Sequence, residues 1–190
     1  GIHNWPGKPT GSFSIRSGAF FAATDTFEIT VTGKGGHAAK PNESIDTTVI
    51  ASQMVLALQT IASRNADPIM QIVVSVTSFE TESKAFNVIP ETVTLRGTVR
   101  TLDEDTRGLA EERLKSICDH TAKAFGGNAD VNFMRGYPVM VNTEIETEYA
   151  AAAARKISGA CDEAPLVMGG EDFAYLLEER PGAYILVGNG

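Results

Sequence analysis

The order of its patterned segments predicts a mixed α+β fold for this chain. Three observations support the prediction: strand-like alternation, helical stripes of apolar residues, and the Gly and Pro residues that separate them. In the first segment, Ala19 to Thr32, the residues Phe27, Ile29 and Val31 alternate with polar ones. Alternation with a period of two places these three side chains on one face of a half-buried strand.

A helix is predicted after the glycines that follow this strand. Its apolar residues recur at helical spacing and form one stripe: Ile50, Met54, Ala57, Leu58 and Ile61. Ser44 is a candidate N-cap, because its hydroxyl could accept a hydrogen bond from a free N–H of the first turn.

Two strands, a second helix and a last strand complete the pattern. The segments 69–79 and 92–102 are rich in β-branched residues, and Pro90 separates them. Asp103 is the candidate N-cap of the second helix, which Gly126 and Gly127 end, and Val131 and Phe133 alternate in one more strand. The order β-α-β-β-α-β is that of a ferredoxin-like fold, with both helices on one face of a four-stranded sheet.

We place this domain at residues 12–135. Residues 1–11 are rich in Gly and Pro, while residues 136–190 contain an Ala-rich helix, a Gly-rich loop and a short strand. One helix and one strand cannot enclose a core alone. We therefore expect both flanking segments to belong to a second domain, and the chain to be a piece of a longer protein.

Composition excludes several classes of function. The 190 residues contain 16 Lys and Arg against 24 Asp and Glu, a formal charge of −8, which argues against nucleic-acid and anionic-membrane partners. Two Cys are too few for a disulfide scaffold or a thiolate zinc site. No stretch is long and apolar enough to span a bilayer and no secretory start is present, so we expect a cytoplasmic protein.

The chain contains only three His. His3 lies in a constrained loop and could ligate a divalent metal, or could be an ordinary polar loop residue. His37 has small neighbours on both sides, which favours a role as donor to a developing oxyanion over that of a bystander in a surface turn. His120 is expected to be solvated on the polar face of the second helix.

Several other polar residues have two open interpretations. Asn87 could contact a ligand or cap the turn before Pro90. Arg100 and Arg135 could bind a carboxylate in bidentate fashion or be solvated. Gly170 and Glu171 open a short helix, where a carboxylate would repel phosphate, so we reject a nucleotide-binding loop. These residues define a fold and candidate positions, but they do not define a reaction.

Five spaced motifs resemble one family, the metal-dependent aminoacylase and carboxypeptidase-like amidohydrolases, in their hippurate hydrolase and N-acyl-amino-acid amidohydrolase branch. The resemblance covers essentially the whole chain, through GIHNWPGKPTG, TGKGGHAAKP, FNVIPETVTLRGTVRT, RGYPVMVN and MGGEDFAYLLEERPGAYILVGNG. It implies that residues 12–135 are a ferredoxin-like lid that also dimerises. The segments 1–11 and 136–190 would be parts of an α/β metallo-hydrolase catalytic domain that the lid interrupts.

The resemblance also implies roles for single residues. His3 would ligate one of two metals, and His37 would stabilise the oxyanion in the active site of the other subunit. Asn87 and Arg100 would bind the substrate's carboxylate end, and Arg135 resembles a similar Arg in part of the family. Gly170 and Glu171 would line the site.

The implied activity is hydrolysis of the amide bond of N-acyl amino acids, with two zinc or manganese ions as cofactors and a homodimer as the assembly. The family's remaining metal ligands and its general base have no counterpart in this sequence. We therefore expect this chain alone to be inactive and to hold no metal stably. A non-enzymatic ferredoxin-like dimerisation or ligand-binding module is the alternative.

Overall fold

The computed structural model describes all 190 residues, Gly1–Gly190. The strands are β1 (Ile2–Trp5), β2 (Phe13–Ile15), β3 (Gly18–Phe21), β4 (Ala23–Thr32), β5 (Gly36–His37), β6 (Ile72–Thr81), β7 (Val88–Ile89), β8 (Thr92–Thr101), β9 (Asn128–Arg135), β10 (Met140–Asn142), β11 (Asp162–Glu163) and β12 (Ile185–Gly188). The α-helices are α1 (Thr47–Leu58), α2 (Glu104–Ala124), α3 (Glu144–Ser158) and α4 (Ala174–Glu179). None of these helices combines the length and the apolar character needed to cross a bilayer.

The chain divides into two compact units. Unit 1 comprises Gly1–Thr24 and Tyr137–Gly190, and unit 2 comprises Asp25–Gly136. The sequence places the first boundary after residue 11, whereas the structure places it after residue 24. Strand pairing explains the difference, because β2 pairs with β11 and β12, and β3 pairs with β10. The partners of both strands therefore lie in the C-terminal segment.

Unit 2 is the predicted β-α-β-β-α-β unit. Its sheet has the order β6-β8-β4-β9, with antiparallel pairing of β6 with β8 and of β4 with β9. Helices α1 and α2 pack against each other and against this sheet. The mixed α+β class is confirmed. The largest fully buried side chains of its core are Phe27, Ile29, Val31, Ile50, Met54, Leu58, Ile61, Leu95 and Leu114.

The two helices of unit 2 begin at acidic caps. Asp103 accepts a hydrogen bond from the Thr106 N–H at 2.7 Å, as predicted. The predicted cap Ser44 was wrong: its hydroxyl donates to the Pro41 carbonyl at the end of a 3₁₀ turn. Asp46 caps α1 instead, because its carboxylate accepts from the N–H groups of the two residues that follow Thr47.

Unit 1 is built on a four-stranded sheet of order β1-β12-β2-β11. Strand β1 runs parallel to β12, so that His3 lies opposite Leu186. One buried cluster of this unit contains Phe20, Phe21 and Met140. Helix α3 packs against strand β2. The N-terminal and C-terminal segments thus form one unit together, which neither could form alone.

A buried ion pair joins the two ends of unit 2. The side chain of Asp25 is fully buried and that of Arg107 is 5% exposed. Arg107 donates from Nε to Asp25 Oδ2 at 3.0 Å and from Nη2 to Oδ1 at 2.6 Å. The N–H of Gly136 donates to the same Oδ1 at 3.0 Å. Since Asp25 and Gly136 are the first and last residues of the unit, the ion pair holds its two ends together.

We expect Arg107→Met to lower the free energy of unfolding by about 3–5 kcal/mol, because the Asp25 carboxylate then stays buried without its counter-ion. The double variant D25N/R107M should lose less than the sum of the single variants. Urea unfolding followed by circular dichroism measures both. Arg96→Met is the matched control, since exposed Arg96 pairs with Glu28 and Glu80 at the surface. Equal losses from the two Arg variants would contradict a special role for the buried pair.

Candidate functional site

His37 and Asn87, two of the predicted site residues, line one cleft of unit 2. The cleft has a volume of about 390 Å³, and its walls are formed by Gly35, Gly36, His37, Glu82, Asn87, Val88, Ile89 and Glu91. Strands β5 and β7 form its floor and pair antiparallel, with His37 opposite Val88. The pairing extends to the next residue, where the Ala38 N–H donates to the Asn87 carbonyl at 3.0 Å. Backbone pairing therefore brings the two segments together, and both residues line the cleft.

The ring of His37 is held in one tautomer when it is neutral. The Ala39 N–H lies 3.1 Å from His37 Nδ1, and since a backbone N–H can only donate, Nδ1 accepts. The ring proton is then on Nε2. His37 is exposed, so its Nε2–H can donate to a group outside this chain.

Asn87 is also free to bind. It is exposed, and its side-chain amide has no hydrogen-bond partner within the chain, whereas its backbone carbonyl is bound by Ala38. The structure does not use the Asn87 side chain to cap the turn before Pro90. The amide can therefore offer both donors and its acceptor to a ligand.

Glu82 is a residue of this cleft that the sequence analysis did not single out. Its carboxylate accepts from the Glu91 N–H at 2.9 Å and from the Thr92 hydroxyl at 2.9 Å. The hydrogen bonds from Thr92 and Glu91 hold the pKa of Glu82 below its ordinary value, so that the group is charged at neutral pH. An isolated Glu in a polar loop has no pattern in the sequence that predicts these bonds.

Arg100 lies at the opposite end of the sheet from this cleft. It is eight residues along β8 from Thr92, which is about 26 Å in an extended strand. Its Nη1 donates to the carbonyls of Asp25 and Val99 and to the Thr98 hydroxyl. Nε and Nη2 have no partner in the chain, and together they form the fork that can bind a carboxylate in bidentate fashion.

Arg135 lies at the same end of the sheet as Arg100 but on the opposite face. It is paired with Asp25 in the β4–β9 register and faces α2. Its guanidinium donates from Nε to Glu111 at 2.9 Å and from Nη1 to Glu104. These two carboxylates raise the pKa of Arg135, although its side chain remains 43% exposed. A role for Arg135 in substrate binding stays a prediction.

The remaining predicted residues lie in unit 1, where His3 has one free ring nitrogen. His3 Nδ1 is 2.6 Å from the Asn4 carbonyl, which can only accept, so Nδ1 carries the proton and Nε2 has a free lone pair. The ring is packed edge-on against Trp5 at 5.6 Å and Tyr184 at 6.1 Å between ring centroids. An N–H donated to a backbone carbonyl with the other nitrogen free is the usual arrangement of a metal-binding His.

Glu171 and Gly170, the last two predicted residues, also lie in unit 1. Burial raises the pKa of the Tyr184 phenol, and the carboxylate of Glu171 contributes to the same shift. A Cβ at Gly170 would collide with the side chain of Thr24, so close packing requires Gly there. Tyr184 thus packs edge-on against His3, and its phenol is near enough to Glu171 to be influenced by that charge.

The structure brings together no group of three His, Cys, Asp or Glu side chains that could hold a metal ion. His3 is suited to supply one ligand, and a complete metal site would require other groups. His120 lies exposed on α2, with Nδ1 bound to the Ser116 carbonyl at 2.7 Å. It takes part in neither cluster of predicted residues.

Comparisons with known proteins identify the fold of unit 2. A sequence model of the peptidase dimerisation domain matches residues 24–125, which begin within one residue of unit 2. In structure, the chain is similar to a dinuclear metal-binding peptidase of the M20 family from Bacillus subtilis. The TM-score is 0.81 at 29% identity, over 99% of this chain and 47% of that chain.

Curated relatives align with the chain from end to end. N-acetyl-L-cysteine deacetylase from Bacillus subtilis is 38% identical over 189 residues, which cover 99% of this chain and 45% of the relative. Hippurate hydrolase from Campylobacter jejuni is 36% identical over 193 residues, which cover 100% of this chain and 50% of the relative. The chain spans about half the length of these relatives. Because the family match takes in more than half of its residues, the chain belongs to the peptidase dimerisation domain family of the M20 hydrolases.

Proposed function

We propose that this chain is part of a metal-dependent amidohydrolase that cleaves the amide bond of N-acyl amino acids, including hippurate-like substrates. In this proposal, unit 2 is the lid and dimerisation domain, and unit 1 is part of the catalytic domain. Relatives named hippurate hydrolase and N-acetyl-L-cysteine deacetylase support the substrate class. The cleft with His37 and Asn87 is the observation that carries the proposal.

His37 stabilises the oxyanion that forms when water attacks the amide carbonyl. The Ala39 N–H on Nδ1 leaves the proton on Nε2, which is the donor that this role requires. Because the tautomer is set by the backbone before substrate binds, the donor needs no reorganisation during the reaction. Asn87, in the same cleft, contacts the carboxylate end of the substrate.

We expect His37→Ala in the whole enzyme to lower kcat by about 10²–10³-fold, the loss typical of a missing oxyanion donor. Metal content should not change, because His37 is not a ligand in this proposal. Steady-state kinetics with hippurate and elemental analysis check both points. His120→Ala is the control, since His120 is an exposed His of the same unit. An unaltered kcat in the His37 variant would rule out its role as the oxyanion donor.

Arg100 binds the substrate's carboxylate, and its position implies that two copies contribute to one active site. Its free Nε and Nη2 suit a carboxylate. It lies about 26 Å along β8 from the end that carries His37 and Asn87. An N-acyl amino acid is much shorter than this. One substrate can therefore contact His37 of one copy and Arg100 of another, but not both residues of the same copy.

His3 ligates one of two divalent metals in this proposal. A divalent metal, when bound, supplies Lewis-acid activation of the carbonyl and of water. The hydrogen bond from Nδ1 to the Asn4 carbonyl directs the Nε2 lone pair outward, and the rings of Trp5 and Tyr184 restrict rotation of the imidazole. The other ligands come from parts of the enzyme outside this chain.

We expect His3→Ala to reduce the metal content of the purified whole enzyme, because the substitution removes the imidazole that binds one of the two metals. Elemental analysis after dialysis measures the loss, with no need for activity. The His37→Ala and His120→Ala variants serve as controls and should retain metal at the level of the unaltered enzyme. Full metal occupancy in the His3 variant would rule out its role as a ligand.

The enzyme is a homodimer that forms through the β6 edge of unit 2. Strand β6 is an outer strand of the sheet, and an unpaired edge can add a strand from another copy. Large apolar side chains are exposed beside it, with Leu56 of α1 66% exposed and Ile69 82% exposed. Burial of these residues against a second copy accounts for their exposure in one copy.

We expect Leu56→Lys to weaken dimer formation by at least about tenfold, because it places a charge in an apolar contact. Sedimentation equilibrium over a range of protein concentrations measures the dissociation constant. Phe125→Lys is the matched control, since Phe125 is 47% exposed at the end of α2, which packs near β9 at the other edge. If the Phe125 variant dissociates and the Leu56 variant does not, the interface lies on the β9 side.

A further inference from the structure

The loop that carries Asn87 is closed by a single side chain. Glu82 follows β6 directly, and its two carboxylate oxygens accept from the Glu91 N–H and the Thr92 hydroxyl, each at 2.9 Å. These partners lie nine and ten residues further along the chain, at the start of β8. The carboxylate thus bridges the two ends of the loop that contains Asn87.

The same loop is paired with the segment that carries His37. The Gly33 N–H donates to the Glu91 carbonyl at 2.9 Å, and the Ala38 N–H donates to the Asn87 carbonyl at 3.0 Å. Glu91 therefore binds Glu82 through its N–H and Gly33 through its carbonyl. A shift of Glu91 would move both segments relative to each other.

A second tether holds the loop from the side of α1. The hydroxyl of buried Thr47 donates to the Pro90 carbonyl at 2.8 Å. Thr47 fixes the loop at one point on the core side, while Glu82 fixes it at two points on the open side. Hydrogen bonds to a charged acceptor are stronger than those between neutral groups, so the Glu82 carboxylate is the main constraint on the open side.

We propose that Glu82 is a positioning residue that keeps Asn87 and His37 at the spacing required in one active-site cleft. This role rests on the proposed function of those two residues. Glu82 lines the same cleft but uses both carboxylate oxygens within the chain, so it acts through the loop and not through a covalent or proton-transfer step.

The test compares Glu82→Ala and Glu82→Gln with the control Glu80→Ala. Glu80 is an acidic residue of β6, two residues before Glu82, and its carboxylate binds Arg96 and Ser78 away from the cleft. Amide hydrogen exchange on the chain itself should rise about tenfold at Glu91 and Ala38 in Glu82→Ala. The exchange rate at these two amides should rise less in Glu82→Gln, because its side-chain amide oxygen can still accept a hydrogen bond. In Glu80→Ala the exchange rate at Glu91 and Ala38 should not change.

Kinetics of the whole enzyme with hippurate separates positioning from loss of folded protein. Glu82→Ala should raise KM about tenfold, with partial rescue in Glu82→Gln, because a misplaced Asn87 binds substrate poorly. Partial unfolding would lower apparent kcat and leave KM unchanged. Unchanged exchange at Ala38 together with an unchanged KM would overturn the role of Glu82.

Asn87→Ala distinguishes this inference from the proposed function. If Asn87→Ala raises KM and Glu82→Ala does not, the positioning role is wrong and the proposed function stands. If Asn87→Ala leaves KM unchanged, the proposed role of Asn87 fails. The exchange measurement then still decides whether Glu82 holds the loop.

Discussion

The fold of unit 2 depends on the buried ion pair between Asp25 and Arg107. A carboxylate with no solvent contact is costly unless each oxygen is hydrogen-bonded, and here a bidentate guanidinium and the Gly136 N–H meet that need. Because the Asp25 carboxylate also accepts from Gly136, the first and last residues of the unit are held together where Asp25 of β4 pairs with Arg135 of β9. The Asp25 carbonyl in turn accepts from Arg100, so the same point also orients the free guanidinium fork.

The register set at that end determines the geometry at the other. Strands β4 and β8 are each ten residues long, and they end and begin beside the cleft. There the Gly33 N–H donates to the Glu91 carbonyl, next to the pairing that brings the segments of His37 and Asn87 together. A slip of one residue in the sheet would turn every side chain to the opposite face and separate this pair.

Periodicity predicts the elements of unit 2 well, because its helices and longer strands each have one buried face. Alternation locates β4 and β8, and Asp103 marks the start of α2. Pairing between distant segments leaves no such pattern, which is why the boundary after Thr24 differs from prediction. The cap at Asp46 is a local contact with Thr48 and Val49, two residues further along than the predicted cap. The Asp25–Arg107 pair spans 82 residues, yet the sequence contains a signal for it. Asp25 alternates in step with Phe27 and Ile29, so it lies on the buried face of its strand.

The candidate site shows the same division between local and distant information. Small neighbours around His37 and the Pro three residues after Asn87 mark both segments as unusual, but only the folded structure shows that they line one cleft. Likewise, the sequence places Arg100 at a strand end without showing which end of the sheet that is. Once the register puts it about 26 Å from the cleft, dimer formation becomes a requirement for catalysis in the proposed enzyme. A monomer of the proposed enzyme would then keep its fold and the proposed metal ligand His3, but could not complete an active site.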